Sequence, residues 1–224
     1  LDELERKTMS CLFCFSKERL SSSEVKGKYG GAYAPFIHNN NTYDITMCQA
    51  PCKETLCWLG AMTCFCPAQV HMRHKALNHV EPGSGWSNYK CCQGYFGGCC
   101  CLQPGSMCES TCPVPCMCLE ACLCPGAAVS ATSNVIRERY QLGLDEDDVR
   151  LIRCSNCLFM CSLCLSIVSC FTPCEGDDAV ARGVTLVSDI VFCCASGCMT
   201  AQVNREINLR GKENDTPELA EMER

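Results

Sequence analysis

Twenty-seven of the 224 residues are cysteine, and several stand at spacings that suit thiolate chemistry. Cys64-Phe65-Cys66-Pro67 and Cys122-Leu123-Cys124-Pro125 share a Cys-x-Cys-Pro core, each preceded by a spaced cysteine and followed by small and then basic residues. Cys154 and Cys157, with Cys161 and Cys164 further along, fall at i, i+3, i+7 and i+10, one stripe of a helix. Cys193, Cys194 and Cys198 form a last cluster. Thiolates bind soft or borderline cations, and a closed zinc site takes four Cys or His ligands. The candidate metal ligands are therefore Cys64, Cys66, Cys122, Cys124, Cys154, Cys157, Cys193, Cys194 and Cys198, with zinc as the candidate ion. The same positions suit disulfides or plain packing, because a free thiol packs as a small hydrophobe. Spacing leaves the three open. The 154–164 stripe cannot bring all its thiols to one ion without unwinding, and His71, His74 and His79 read as a polar cap ending a buried helix.

The elements that must position these thiols are short and apolar. Thr55 to Val70 carries no charge but is shorter than the roughly 20 residues a bilayer core requires, so it reads as a buried or interfacial helix. Residues 81–118 are rich in Gly, Pro and Cys and read as a cross-linked or metal-clamped loop region. Met117 to Val135 is a second short apolar segment, and its parallel with the first hints at an internal duplication. Acids at Asp145, Glu146, Asp147 and Asp148 suit the start of a helix that runs toward Pro173 with no charge between Arg153 and Glu175. Gly183 to Val203 is broken only by Asp189. Arg150 and Arg153 precede the first long segment, Arg205, Arg210 and Lys212 follow the second, and the connection is acidic. Basic ends belong on the cytoplasmic side, so the pattern predicts a membrane helical hairpin over 146–204 with both ends on that side. An acid within such a segment is costly, which makes Asp189 an intramembrane functional candidate. The rival is a soluble helical pair packed on a core.

The expected fold is thus mainly α: short cysteine-rich helices and a membrane hairpin, joined by irregular Cys/Gly/Pro-rich loops. Residues 1–47 read as a polar leader, 48–208 as the cysteine-rich membrane-associated domain and 209–224 as a charged tail. A net charge of −6 without a basic run argues against a nucleic-acid partner. The chain has no phosphate-binding Gly-rich loop, nucleophile elbow or His-Glu-x-x-His motif, and its Cys-x2-Cys pair lacks a thioredoxin-like context. No catalytic residue is assigned and the chain is not expected to be an enzyme.

Together these residues resemble the placenta-specific-eight family, which includes cornifelin, the plant cadmium-resistance proteins and the cell-number regulators. Cys57, Cys64, Cys66 and Pro67, or Cys116, Cys122, Cys124 and Pro125, echo the family's first cysteine segment. Arg137 to Tyr140, Cys154 with Cys157, and Cys193-Cys194 to Gln202, Arg205 and Glu206 are similar to its second half. The chain departs from the family in its Cys-x-Cys-Pro order and in the apolar insertion between Cys164 and Cys193. The resemblance covers residues 50–208 and implies a membrane-associated, cysteine-rich protein that handles divalent metal or acts as an oligomeric regulator. Its partners would be membrane lipid and copies of itself or a larger membrane assembly. The alternative is a non-catalytic accessory subunit of a larger membrane complex, stabilised by cysteine pairs.

Overall fold

The computed structural model describes residues 30–96, 104–106, 108–146, 148–150, 153 and 177–222. A 3-10 helix at Gly30–Phe36 leads into helices α1 (Ala50–Lys53), α2 (Thr55–Thr63), α3 (Phe65–Val80), α4 (Pro113–Leu123), α5 (Pro125–Tyr140) and α6 (Asp177–Met222). Among the described residues there is no strand, only an isolated bridge between Asn41 and Leu142. The expectation of a mainly helical chain holds.

Both Cys-x-Cys-Pro copies break a helix, and they do so with nearly the same backbone. Cys64 separates α2 from α3 at φ −124° and ψ 57°, and Cys124 separates α4 from α5 at φ −134° and ψ 58°. Each break is followed by a helix of 16 residues. Proline explains both positions by different routes. Pro125 is the first residue of α5, where its missing N–H costs nothing, and its ring disfavours the helical conformation at Cys124 just before it. Pro67 can neither bond back to Thr63 nor avoid its carbonyl in a continuous helix, so the chain restarts at Phe65 and places the proline in a first turn whose N–H groups are unpaired anyway. The breaks therefore fall on the first cysteine of one copy and the second of the other.

Helix α6 is the strut against which the rest is built. Phe65 lies by Phe192, Gln69 donates to Thr200, and Lys75 donates to Asn204 and Asn208, so α3 runs beside α6 in the same direction. Helix α5 does likewise, from Gly126 near Phe192 to Tyr140 under the Arg210 guanidinium. Helix α2 runs the opposite way, with Cys57 near Thr200 and Trp58 against Gly197. A Cβ on Gly197 would fall 2.8 Å from the Trp58 ring, so this contact requires glycine. Ala127, Ala128 and Ala131 keep the buried side of α5 thin, and the main core gathers Met72, Leu77, Met117, Ile136, Leu142 and Val203.

Two expectations need correction. Residues 30–47 are not a polar leader, because Tyr33, Phe36, Tyr43, Ile45 and Met47 are buried and the segment is pinned to the α5 end. Gly143 donates its N–H to the Asn41 carbonyl there, so close to Asn39 that a Cβ would overlap the Asn39 carbonyl. The membrane hairpin is not seen either. Its first arm, with Cys154 and Cys157, lies almost wholly outside the described residues. Its second arm is part of the 46-residue α6, and among the described residues no helix is long and apolar enough to cross a membrane. The physical reason lies in the polar side chains Ser196, Thr200, Gln202 and Glu206, all buried in the protein. Gln202 donates to the Ile45 carbonyl, and Glu206 accepts from the Asp44 N–H, partners that lipid could not supply. Helix α6 also continues through the expected charged tail to Met222.

Candidate functional site

The segment between α3 and α4 turns back into the core at Cys91 and Cys92, which are only 3% and 2% exposed. Cys92 and Gln93 sit in the left-handed region at φ 47° and 48°, and Gly94 follows at φ 78°. Left-handed backbone costs a non-glycine residue roughly 1–2 kcal/mol, so buried contacts must hold the turn. The Cys91 N–H donates to Glu109 at 2.5 Å, the Cys92 N–H to Glu120 at 2.8 Å, and the Lys90 N–H to the Gln93 side chain at 2.7 Å.

Glu120 is the centre of this arrangement. It comes from α4, is wholly buried, and accepts Arg73 Nη2 on one oxygen and Tyr89 Oη on the other, both at 2.9 Å. Arg73 comes from α3, is also wholly buried, and reaches the Thr132 hydroxyl and the Ala128 carbonyl on α5. Its Nη1 is buried without a hydrogen-bond partner. Ligand atoms of Cys91, Cys92 and Glu120 all lie within 4.8 Å of one another, the one such group of three among the described residues. Hydrogen bonding from Cys92 holds the Cys91 thiol below the ordinary cysteine range against the effect of burial. The same bond, then burial and the Glu120 charge, pushes Cys92 well above it. Burial and Glu120 likewise push the Tyr89 hydroxyl up, so it stays a donor.

The donor set fits a divalent ion. A divalent metal held by two thiolates and Glu120, with Arg73 beside it, brings these side chains and the ion to zero net charge and leaves Glu109, on the Cys91 N–H, as the further buried acid nearby. Three protein ligands leave one tetrahedral position to an exchangeable fourth. Zinc would supply charge neutralisation there and lock the left-handed turn.

The ligands expected from the sequence are distributed differently. Cys66 lies against Cys118 and Cys122, so one expected ligand from each Cys-x-Cys-Pro copy meets the other across the α3–α4 contact. Burial, followed by Cys118 and Cys122, pushes the Cys66 thiol up to about 11. Cys66 and Cys118 line a cavity of about 450 Å³ with His71, His74, Trp86 and Val114, whereas His79 instead pairs with Tyr140 at 2.6 Å. Cys64 is exposed at its helix break. Cys124 is disulfide-bonded, which takes it out of any ligand set. Cys193, Cys194 and Cys198 are half-buried on α6, and Asp189 is exposed on the same helix. Cys154 and Cys157 lie outside the described residues. Cys91, Cys92 and Glu120 were not singled out by spacing. The available signal was Glu120 itself, the one charged residue in the apolar segment 117–135.

No family model matches the chain, and neither a curated protein nor a solved structure does.

Proposed function

We propose that this chain is a non-catalytic, cysteine-rich metal-handling protein that binds a borderline divalent ion, zinc first, at Cys91, Cys92 and Glu120. The observation that carries this reading is the convergence of two thiols and a carboxylate within 4.8 Å of one another, all buried, with the Arg73 charge paired to Glu120. An open fourth position suits an ion that is taken up and passed on, in keeping with the metal-handling role that a resemblance to the placenta-specific-eight family implies. Binding requires both thiols to lose their protons, so affinity rises with pH. Titration of the reduced protein with zinc should reach a tight site that releases about two protons per ion. Cys91→Ser and Cys92→Ser should each remove that site while leaving the helical circular dichroism unchanged. Zinc uptake that is the same in both variants as in the parent would defeat the assignment.

A second reading, association with a lipid surface as a membrane protein or accessory subunit, is favoured by one feature. Leu56, Leu59, Val114, Leu119, Leu123, Leu186, Val187 and Ile190 are large apolar side chains left exposed, all on α2, α4 or the first half of α6. The net charge of −6 favours uncharged over acidic lipid. The chain should float with phosphatidylcholine vesicles in a density gradient, and Leu186→Ser/Val187→Ser/Ile190→Ser should float several-fold less. Parent protein that stays at the bottom of the gradient ends this reading.

A further inference from the structure

We propose that Cys91 and Cys92 form a hydroperoxide-reactive thiol pair that closes reversibly into a disulfide between neighbouring residues. The two sulfurs already lie within 4.8 Å of each other. Their amides are fixed by separate buried carboxylates, Glu109 for Cys91 and Glu120 for Cys92, and the backbone is left-handed from Cys92 to Gly94. The pair is thus held together by the fold, and side-chain rotation is what closes the remaining gap. A trans peptide sets neighbouring Cα atoms about 3.8 Å apart, below the roughly 4.4–6.8 Å usual in disulfides. A bridge strained in this way is readily reduced, which suits a reversible change rather than a structural cross-link.

Burial selects the oxidant. With both residues nearly inaccessible, a bulky disulfide such as oxidised glutathione is shut out, and hydrogen peroxide is small enough to enter. One thiol gives up its proton and its sulfur attacks a peroxide oxygen. The O–O bond breaks, the leaving hydroxide takes up that proton as water, and the sulfur becomes a sulfenic acid. The neighbouring thiol attacks this sulfur, the S–O bond breaks, and the hydroxyl leaves with the second thiol's proton as another water. Two thiols are oxidised by two electrons and one peroxide is reduced to two waters. On the metal reading above, closure also removes both sulfur ligands and expels the ion; that consequence alone rests on the reading.

The test uses the full chain, reduced, stripped with a chelator and treated with a small excess of hydrogen peroxide. The chain is then denatured, remaining thiols are blocked with iodoacetamide and peptides are weighed. The expected result is a peptide carrying Cys91 and Cys92 that is lighter by two hydrogens, unblocked, linked to no other peptide and restored by dithiothreitol. Oxidised glutathione at the same concentration should leave it blocked at both residues. In Cys92→Ser, or Cys92→Ala should the serine variant not fold, a sulfenic acid trapped by dimedone should replace the bridge. Full blocking of both cysteines at a peroxide dose that oxidises the exposed Cys52 and Cys64 would overturn the proposal, as would a link from either to a third cysteine. Zinc titration of the same reduced sample keeps the two ideas apart. Bridge formation without zinc uptake removes the metal reading alone, and zinc uptake without bridge formation removes this proposal alone.

Discussion

Arg73→Met will lower the folding stability by about 3–5 kcal/mol, because it leaves Glu120 as an uncompensated charge in a fully buried site. That is a large share of the roughly 5–15 kcal/mol by which such domains are stable. The same change also strips the Thr132 hydroxyl and the Ala128 carbonyl of their guanidinium donor. Urea unfolding followed by circular dichroism should show a lower midpoint with an unchanged slope. Adding Glu120→Gln should restore part of the loss, since a neutral amide oxygen can still accept from Tyr89 and from the Cys92 N–H without a buried charge. A single variant within about 1 kcal/mol of the parent would mean that Glu120 is not the charge holding Arg73.

Arg137→Met should cost a comparable amount, about 3–5 kcal/mol, by a different route. Arg137 is wholly buried on α5, pairs with Asp148 at 2.6 Å, donates to Ser133 and to the Gly143 carbonyl, and lies 4.8 Å from the centre of the Tyr43 ring. It therefore joins the end of α5, the loop after it and the N-terminal segment. Tyr43 is held neutral there, its hydroxyl pushed up to about 12 chiefly by burial. Arg137→Lys keeps the charge but not the planar fork, and should recover only part of the stability. Equal urea midpoints for the lysine variant and the parent would show that charge alone, and not the guanidinium geometry, is what this junction needs.

The helical character of the chain was legible, but the two helix breaks were not read from it: Thr55 to Val70 reads as one helix, through the break at Cys64, although proline acts locally. Pro67 and Pro125 restrict the residues beside them whatever surrounds the helix, so a Cys-x-Cys-Pro motif announces its own kink. The second arm of the expected hairpin was hard to read because hydropathy sums residues without saying which face each occupies. Thr200, Gln202 and Glu206 sit among apolar neighbours and find protein partners. The rule that a lone acid in an apolar segment is notable was applied to Asp189 and not to Glu120. Asp189 is exposed, while Glu120, equally alone in its segment, is the buried centre of the candidate site. What made the difference is Arg73, 47 positions earlier, and no local pattern reports a partner at that distance. Tyr33, Phe36 and Tyr43 were overlooked for a related reason, since single aromatics in a polar stretch carry no period.

Helix α6 has one more consequence, and it concerns the order in which the molecule can be built. The Asp44 N–H bonds Glu206 across 162 positions, Gln202 bonds the Ile45 carbonyl across 157, and Asn204 bonds Glu54 across 150. During synthesis, at about 5–20 residues per second, none of these contacts can form until the residues around 202–206 have left the ribosome. Until then the faces of α2, α3 and α5 that α6 will cover, with the thiol of Cys57 among them, must wait without their partner helix. Throughout that wait the Cys57 thiol lacks the Thr200 carbonyl that later stands against it.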